Sequence, residues 1–336
     1  MTILFLGSGP FGLPALRRLQ QLRPRQIVVG TVPDAPGGRR RKPVPTPVKV
    51  TAAELALPCF ELPTLRREHA DPLLQEVQPQ LAIVCDFRLF LTRRFLAAIP
   101  QQSYNLHPSL LPRYRGAAPV ARSILANETE HGITLYQMVK EMDAGPIVGH
   151  RELPITTKQD RVQLEAALSE MGADLLAEHL PSLESGNPDV TPQDHSQATF
   201  APIIRKPEGW IDWRAPASDI ENQVLAMTPW PRSFCRWLPP GDGEPVLLFV
   251  DRVAVETTEH SPTKPGTILS CSGDGIAVAC GSSGTEVLVL KQLQRAGKRL
   301  LEADEFLRGT PMQVGQRLQS DLPNDDTPTN QEQGPR

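Results

Sequence analysis

A glycine-rich turn near the start of the chain restricts its fold more than any other feature. Gly7, Gly9 and Gly12 follow a short apolar run at residues 2–6 and precede residues 13–22, which have apolar side chains at helical spacing. A strand, a tight glycine turn and an amphipathic helix form the first half of a βαβ unit. The sequence therefore predicts an α/β domain that begins with this unit.

Later segments continue the same pattern. Four apolar runs predict buried strands at residues 26–32, 81–85, 103–107 and 133–138. One long amphipathic segment predicts a helix at residues 160–180. Strands that alternate with helices favour a mostly parallel sheet covered by helices on both faces. Residues 33–47, rich in Pro, Gly and Arg, predict a long loop. We expect this α/β domain to occupy residues 1–185.

The second half of the chain has a different composition and a different pattern of apolar residues. Residues 186–205 are polar with scattered Pro and Gly, which predicts a linker. Within residues 206–318, short apolar runs alternate with Gly, Ser and Pro, which is typical of a small β-barrel. Residues 319–336 are polar and lack apolar periodicity, so we expect a disordered tail.

The glycine turn also fits a dinucleotide fingerprint, with Asp34 at about the expected distance beyond it. That match suggests an NAD-dependent oxidoreductase, although glycines at such a turn can also serve packing alone. Two features weaken the cofactor hypothesis. Asp34 follows Pro33 inside a predicted loop, and Pro10 removes a backbone N–H that could have bound phosphate.

Composition limits the remaining classes. The 336 residues are 40% hydrophobic, enough for two domains with buried cores, and the formal net charge of −3 gives no overall attraction to nucleic acid. The five cysteines include no C-x-x-C pair, so neither a disulfide framework nor a metal site is indicated. We expect a cytoplasmic protein, with no membrane segment and no sign of more than a monomer.

Polar side chains with acyl-transfer chemistry lie at the end of the predicted strand 103–107. Asn105 and His107 are two residues apart, so both point to one face of the strand. An amide donor and an imidazole could stabilise the oxyanion of a tetrahedral intermediate, and Asp143, in a turn after another strand, could orient the imidazole. No Ser or Cys nucleophile is evident, which favours direct transfer. Taken alone, an Asn-x-His pair is more often structural.

The residues around this pair resemble the folate-dependent formyltransferases. The resemblance rests on Asn-Leu-His-Pro-Ser-Leu-Leu-Pro from residue 105, on Arg-Gly-Ala-Ala-Pro from residue 115, and on Met-Asp-Ala-Gly-Pro-Ile from residue 142. It implies a Rossmann-like domain without a dinucleotide and 10-formyltetrahydrofolate as co-substrate. It also implies Asn105, His107 and Asp143 as the catalytic residues, and a folate-binding loop that consists of Ser109, Leu110, Leu111 and Pro112.

Within that family, the chain is most similar to the members that formylate the amine of initiator methionyl-tRNA. A run of cations, Arg39, Arg40, Arg41 and Lys42, resembles their tRNA-binding loop, and residues 206–318 resemble their OB-like C-terminal barrel. The resemblance implies initiator methionyl-tRNA as partner and translation initiation as the process. Alternatives are a formyltransferase for a small amine and an inactive tRNA-binding protein. The segment Cys85-Asp86-Phe87 departs from the family pattern near the expected folate pocket.

Overall fold

The computed structural model describes residues 1–37, 42–155, 157–240, 243–257 and 260–321. By its internal contacts the chain divides into two compact units. The first consists of Met1–Val120, Thr129–Thr157 and Gln163–Pro202, and the second of Ala121–Glu128, Lys158–Val162 and Ile203–Arg336. None of the helices in the described ranges combines the length and the apolarity that crossing a membrane requires.

The first 184 residues alternate strands with helices. The strands are β1 (Ile3–Gly7), β2 (Ile27–Thr31), β3 (Ala35–Gly37), β4 (Lys42–Val44), β5 (Cys59–Glu61), β6 (Leu81–Cys85), β7 (Ser103–His107), β8 (Glu130–Gln137) and β9 (Ile147–Pro154). The helices are α1 (Leu13–Leu22), α2 (Pro47–Glu54), α3 (Arg67–Val77), α4 (Arg93–Ala97), α5 (Pro119–Leu125) and α6 (Arg161–Glu184).

Seven of these strands form one sheet in the order β5-β2-β1-β6-β7-β8-β9. The pairs from β5 to β7 are parallel, whereas β8 is antiparallel to both β7 and β9. Every residue of β1 and of β6 is buried, as expected for strands covered on both faces. The mostly parallel, Rossmann-like sheet that the sequence predicts is therefore confirmed.

Helices pack on opposite faces of this sheet. On one face, the apolar side chains of Leu4 and Val84 join Leu73 of α3 and Phe95 of α4 in a buried cluster. Near β7 and β8, α6 packs closely, because a Cβ on Gly172 would lie 3.3 Å from Ile133 and 3.6 Å from Leu106. Leu106 alternates with Asn105 and His107 along β7, so α6 covers the face opposite to those two polar side chains.

Two segments that the sequence predicts as irregular contain backbone pairing, a short ladder in one and an isolated bridge in the other. Residues 33–47 include β3 and β4, an antiparallel ladder in which Ala35 lies opposite Val44. The predicted linker is attached to the first unit, since Thr191 and Ile147 exchange two backbone hydrogen bonds of 2.8 Å. A linker with such bonds is held in place by the α/β unit instead of passing freely beside it.

The second unit is a small antiparallel barrel. Its elements are α7 (Ala217–Met227), β10 (Ser233–Leu238), β11 (Val246–Glu256), β12 (Ile268–Ser272), β13 (Gly275–Cys280), β14 (Glu286–Arg295), β15 (Leu301–Glu302), α8 (Ala303–Gly309) and β16 (Arg317–Leu318). The sheet order is β12-β13-β14-β11-β10-β16, and a bridge between Thr267 and Arg317 joins its two ends. Trp213, Trp237 and Phe306 fill its core. The predicted barrel is confirmed.

Candidate active site

The pairing of β7 with β8 brings polar side chains together on one face of the sheet. Asn105 lies opposite Tyr136, and His107 lies opposite Thr134. Residues directly opposite each other in an antiparallel pair point to the same face. Asn105 is half-buried and His107 is buried, with 4% of its surface exposed. The two residues that the sequence predicts at the strand end therefore share a largely enclosed surface.

Asp143 reaches the same surface from the loop that joins β8 to β9. Its Oδ2 accepts a 2.7 Å hydrogen bond from the backbone N–H of Gly116 and lies 3.8 Å from Nδ1 of His107. Its backbone is left-handed, with φ of +51°, a conformation that Asp tolerates better than most residues. The structure thus brings Asn105, His107 and Asp143 together, although β8 runs opposite to the direction expected in a fully parallel sheet.

The imidazole of His107 lies between two acceptors. Its Nε2 is 2.9 Å from the carbonyl oxygen of Tyr114, and its Nδ1 faces the Asp143 carboxylate. A carbonyl oxygen can only accept, so Nε2 must carry a proton in this arrangement. The hydrogen bond to Tyr114 thus sets the orientation of the ring, with Nδ1 directed toward the Asp143 carboxylate.

A tyrosine that the sequence did not single out connects Asn105 with Asp143. The Tyr136 hydroxyl accepts a 3.2 Å hydrogen bond from Nδ2 of Asn105 and donates a 2.7 Å bond to Oδ1 of Asp143. Burial, together with the adjacent Asp143 charge, holds the pKa of Tyr136 well above its ordinary value. The hydroxyl therefore stays neutral and remains a donor.

A glutamine holds the Asp143 turn by hydrogen bonds, and a buried arginine in turn binds that glutamine. The Gln193 amide donates to the carbonyl oxygens of Asp143 at 2.9 Å and Gly145 at 2.6 Å. Its Oε1 accepts from Arg115, at 2.6 Å from Nη2 and 3.3 Å from Nε. Nη2 of Arg115 also lies 2.9 Å from Nδ1 of His195. No sequence pattern points to Gln193, which lies in the predicted linker.

The predicted folate loop, residues 109–112, is held by its own hydrogen bonds. The Ser109 hydroxyl donates to Arg113 O at 2.7 Å, and Thr134 Oγ1 donates to Ser109 O at 2.6 Å. The backbone N–H of Leu111 donates to Thr134 Oγ1 at 3.1 Å. Ser109 and Leu111 are buried, whereas Leu110 and Pro112 are half-buried. The loop is thus a rigid wall beside His107, and the Ser109 proton is already used within it.

The atypical residue Asp86 lies against the glycine turn. Its carbonyl oxygen accepts from the N–H groups of Ser8 at 2.9 Å and Gly9 at 3.3 Å. Its side chain accepts a backbone hydrogen bond from Phe11, and a Cβ added to Gly9 would overlap its carboxylate. The carboxylate thus takes a backbone donor at the helix start, where a dinucleotide would need to bind its pyrophosphate. A negative charge there counts against the NAD hypothesis.

Most of the predicted tRNA-binding loop lies outside the described residues. Arg39, Arg40 and Arg41 fall in the gap between residues 37 and 42, while Lys42 is exposed at the start of β4. Within the described ranges, no group of three or more His, Cys, Asp or Glu side chains is arranged to hold a metal ion.

Family models match both parts of the chain. The model for formyl transferase matches residues 1–180, and the model for the formyl transferase C-terminal domain matches residues 203–311. Together the two matches cover the α/β sheet and most of the barrel.

Curated relatives match the chain over nearly its whole length. A methionyl-tRNA formyltransferase from Roseiflexus castenholzii is 39% identical over 319 residues, which cover 95% of this chain and 99% of that protein. A methionyl-tRNA formyltransferase from Thermotoga neapolitana is 36% identical over 321 residues, which cover 95% of this chain and 98% of that protein.

Solved structures share the fold at lower identity. The sugar 3N-formyl transferase WlaRD, crystallised with dTDP and 5-N-formyl-THF, has a TM-score of 0.62 at 16% identity, over 89% of this chain and 99% of that chain. HypX from Aquifex aeolicus, in complex with tetrahydrofolic acid, has a TM-score of 0.61 at 17% identity, over 91% of this chain and 47% of that chain. At these identities the likeness concerns the fold alone.

Proposed function

The chain belongs to the formyl transferase family, and from that membership we propose that it transfers a formyl group from 10-formyltetrahydrofolate to the free amine of methionyl-initiator tRNA. The observation that carries this conclusion is similarity at 35–39% identity, over about 95% of the chain, to proteins named methionyl-tRNA formyltransferase. The activity makes the chain a transferase of translation initiation.

The site has the donors that a formyl group requires. One hydrogen on Nδ2 of Asn105 is bonded to Tyr136, which leaves the second hydrogen and the amide oxygen available on a half-buried side chain. The rigid loop at residues 109–112 forms the adjacent wall. These features fit a folate held with its formyl oxygen near Asn105, and the folate supplies the one-carbon unit when bound.

We assign separate roles to the three clustered residues. Asn105 donates its free amide hydrogen to the formyl oxygen as negative charge develops there, a contribution of about 3 kcal/mol for such a donor. His107 supplies positive charge beside that oxygen. Asp143 lies 3.8 Å from the ring and orients the imidazole. With no covalent intermediate on the protein, the amine attacks the formyl carbon directly to form a tetrahedral intermediate. This intermediate collapses by breaking the bond between that carbon and N10 of the folate; the amine loses a proton, N10 gains one, and tetrahydrofolate leaves.

We assign recognition of the tRNA to the barrel and to the cationic loop. Small barrels of this kind commonly bind nucleic acid, and the exposed Lys42 directly follows the proposed contacts Arg39, Arg40 and Arg41 in the sequence. Free thiols at Cys59, Cys85, Cys235, Cys271 and Cys280 support a reducing compartment, which we propose to be the cytoplasm.

Incubation of the purified chain with 10-formyltetrahydrofolate and charged initiator tRNA tests the activity. Formylmethionine should appear on the tRNA, and the yield should depend on both substrates. A protein that bound the charged tRNA without transferring the formyl group would instead be the inactive tRNA-binding alternative.

A further inference from the structure

We propose that Tyr136 is a positioning residue whose hydroxyl links the Asn105 amide to Asp143. This link keeps one amide hydrogen directed toward the reacting carbonyl. This inference rests on the proposed formyl transfer and adds a fourth side chain to the site. Tyr136 itself is 1% exposed, so it acts through its neighbours instead of touching the substrate.

The direction of each hydrogen bond is determined by chemistry. The Asp143 carboxylate can only accept, so the Tyr136 hydroxyl must donate its single proton to Oδ1 at 2.7 Å. The hydroxyl oxygen then has only lone pairs left for Asn105, and the group 3.2 Å away must be the Nδ2 donor. A flipped amide would place its oxygen against the hydroxyl oxygen, with no hydrogen between them. Tyr136 thus selects one of the two amide orientations.

The charge of the Asp143 carboxylate strengthens the hydrogen bonds of the Tyr136 hydroxyl. A hydroxyl that donates to a carboxylate is polarised, which makes its oxygen a better acceptor for the next donor in the chain. The Gly116 N–H holds the other carboxylate oxygen at 2.7 Å, so Asp143 is fixed at both ends. The amide of Asn105 is therefore tied through Tyr136 to a rigid carboxylate, although Asn105 and Asp143 do not bond to each other directly.

Substitution Tyr136→Phe removes only the hydroxyl. Loss of the hydrogen bond frees the Asn105 amide to rotate, so productive orientations become less populated while the substrate-binding walls stay in place. We expect kcat to fall about tenfold or more, as for loss of one charge-assisted hydrogen bond, with KM for folate and tRNA changed by less than about threefold. The order parameter of the Asn105 side-chain amide should fall from the rigid range to below about 0.6.

Tyr104→Phe is the matched control. Tyr104 lies on β7 next to Asn105 and is also 1% exposed, and burial alone raises its pKa. It alternates with Asn105 and so points to the opposite face. Loss of this buried hydroxyl should leave both kcat and the amide order parameter near the wild-type values, which separates positioning from a general loss of packing.

The measurements are steady-state kinetics and ¹⁵N relaxation on asparagine-labelled protein, with the Asn105 signal assigned by its loss in Asn105→Ser. An unchanged order parameter, or a kcat within twofold of wild type, would overturn the inference. An equal loss of kcat in Tyr104→Phe would do the same. A wild-type protein that fails to formylate methionyl-tRNA counts against the proposed function instead, and the order parameter still decides whether Tyr136 fixes Asn105.

Discussion

Nδ1 of His107 lies 3.8 Å from Oδ2 of Asp143, although His107 ends a strand and Asp143 lies in the loop after the next strand. The side chains are 5% and 12% exposed, so little water screens the pair. The distance is too long for a strong hydrogen bond, but it places an enclosed carboxylate next to the imidazole ring. The proposed mechanism depends on this pair more than on any other contact in the site.

Substitution of either member should greatly reduce turnover without unfolding the protein. His107→Ala removes the positive charge beside the formyl oxygen, and Asp143→Asn removes its counter-charge while it keeps an acceptor for Gly116. We expect kcat to fall by about 10²-fold or more in each case. Circular dichroism and thermal unfolding should remain near wild type. A fully active His107→Ala/Asp143→Asn double variant would refute the proposed roles.

Removal of the Gln193 side chain should loosen the Asp143 turn. Gln193→Ala deletes the donors to the carbonyls of Asp143 and Gly145 and leaves the buried Arg115 guanidinium without its amide partner. We expect a loss of about 2–3 kcal/mol in the free energy of unfolding, measured with urea, and a lower kcat. The exposed Gln197 of the same segment is the control, where Gln197→Ala should change stability by less than about 0.5 kcal/mol.

The close approach of Asp86 to Gly9 can be tested by a pair of substitutions. Gly9→Ala places a methyl group where the Asp86 carboxylate lies, and all three of the nearest atoms belong to that side chain. We expect Gly9→Ala to lower the free energy of unfolding by about 1–3 kcal/mol. In an Asp86→Ala background the same change should cost much less, because the overlapping atoms are gone. Equal costs in both backgrounds would mean that the two residues do not contact.

The free energy of unfolding should fall at alkaline pH because two thiols are buried. Burial raises the pKa of both Cys235 and Cys280 to about 12, above the ordinary thiol value of 9.0. Below pH 9 both states are protonated. As the pH rises from 9 toward 12, the unfolded state loses these protons first, so stability falls by about 1.4 kcal/mol per pH unit for each thiol. For the Cys235→Ala/Cys280→Ala variant, the free energy of unfolding measured from pH 8 to 10.5 should fall less steeply with pH than for the wild-type protein. An unchanged slope would contradict the burial of the thiols.

Strands and helices with clear apolar periodicity could be predicted from the sequence. Helix α1 and strands β6 and β7 lie at their predicted bounds, because compact apolar runs end at Gly, Pro or polar residues. Helix α3 is not predicted, since only Ala70 and Leu73 are buried and Pro72 lies inside it. Periodicity also carries no information on strand direction, so the antiparallel course of β8 is visible only in the structure.

Some residues of the candidate site could likewise be predicted from the sequence, and others could not. Asn105 and His107 lie two residues apart on one strand, so their common face follows from local geometry. Asp143 joins them through the family motif, whereas Tyr136 and Gln193 act through tertiary contacts that leave no local signal. Gln193 contacts the Asp143 turn across 50 residues of sequence, from a segment that composition assigns to a linker.

The most direct test of the proposed function compares two acceptors under the same conditions: initiator methionyl-tRNA and glycinamide ribonucleotide, each with 10-formyltetrahydrofolate, in wild type and His107→Ala. We expect formylation of methionyl-tRNA by the wild-type protein, a kcat/KM for glycinamide ribonucleotide lower by orders of magnitude, and loss of both activities in His107→Ala. Efficient formylation of the small amine with none of the tRNA would contradict the tRNA assignment, and full activity of His107→Ala would contradict the mechanism.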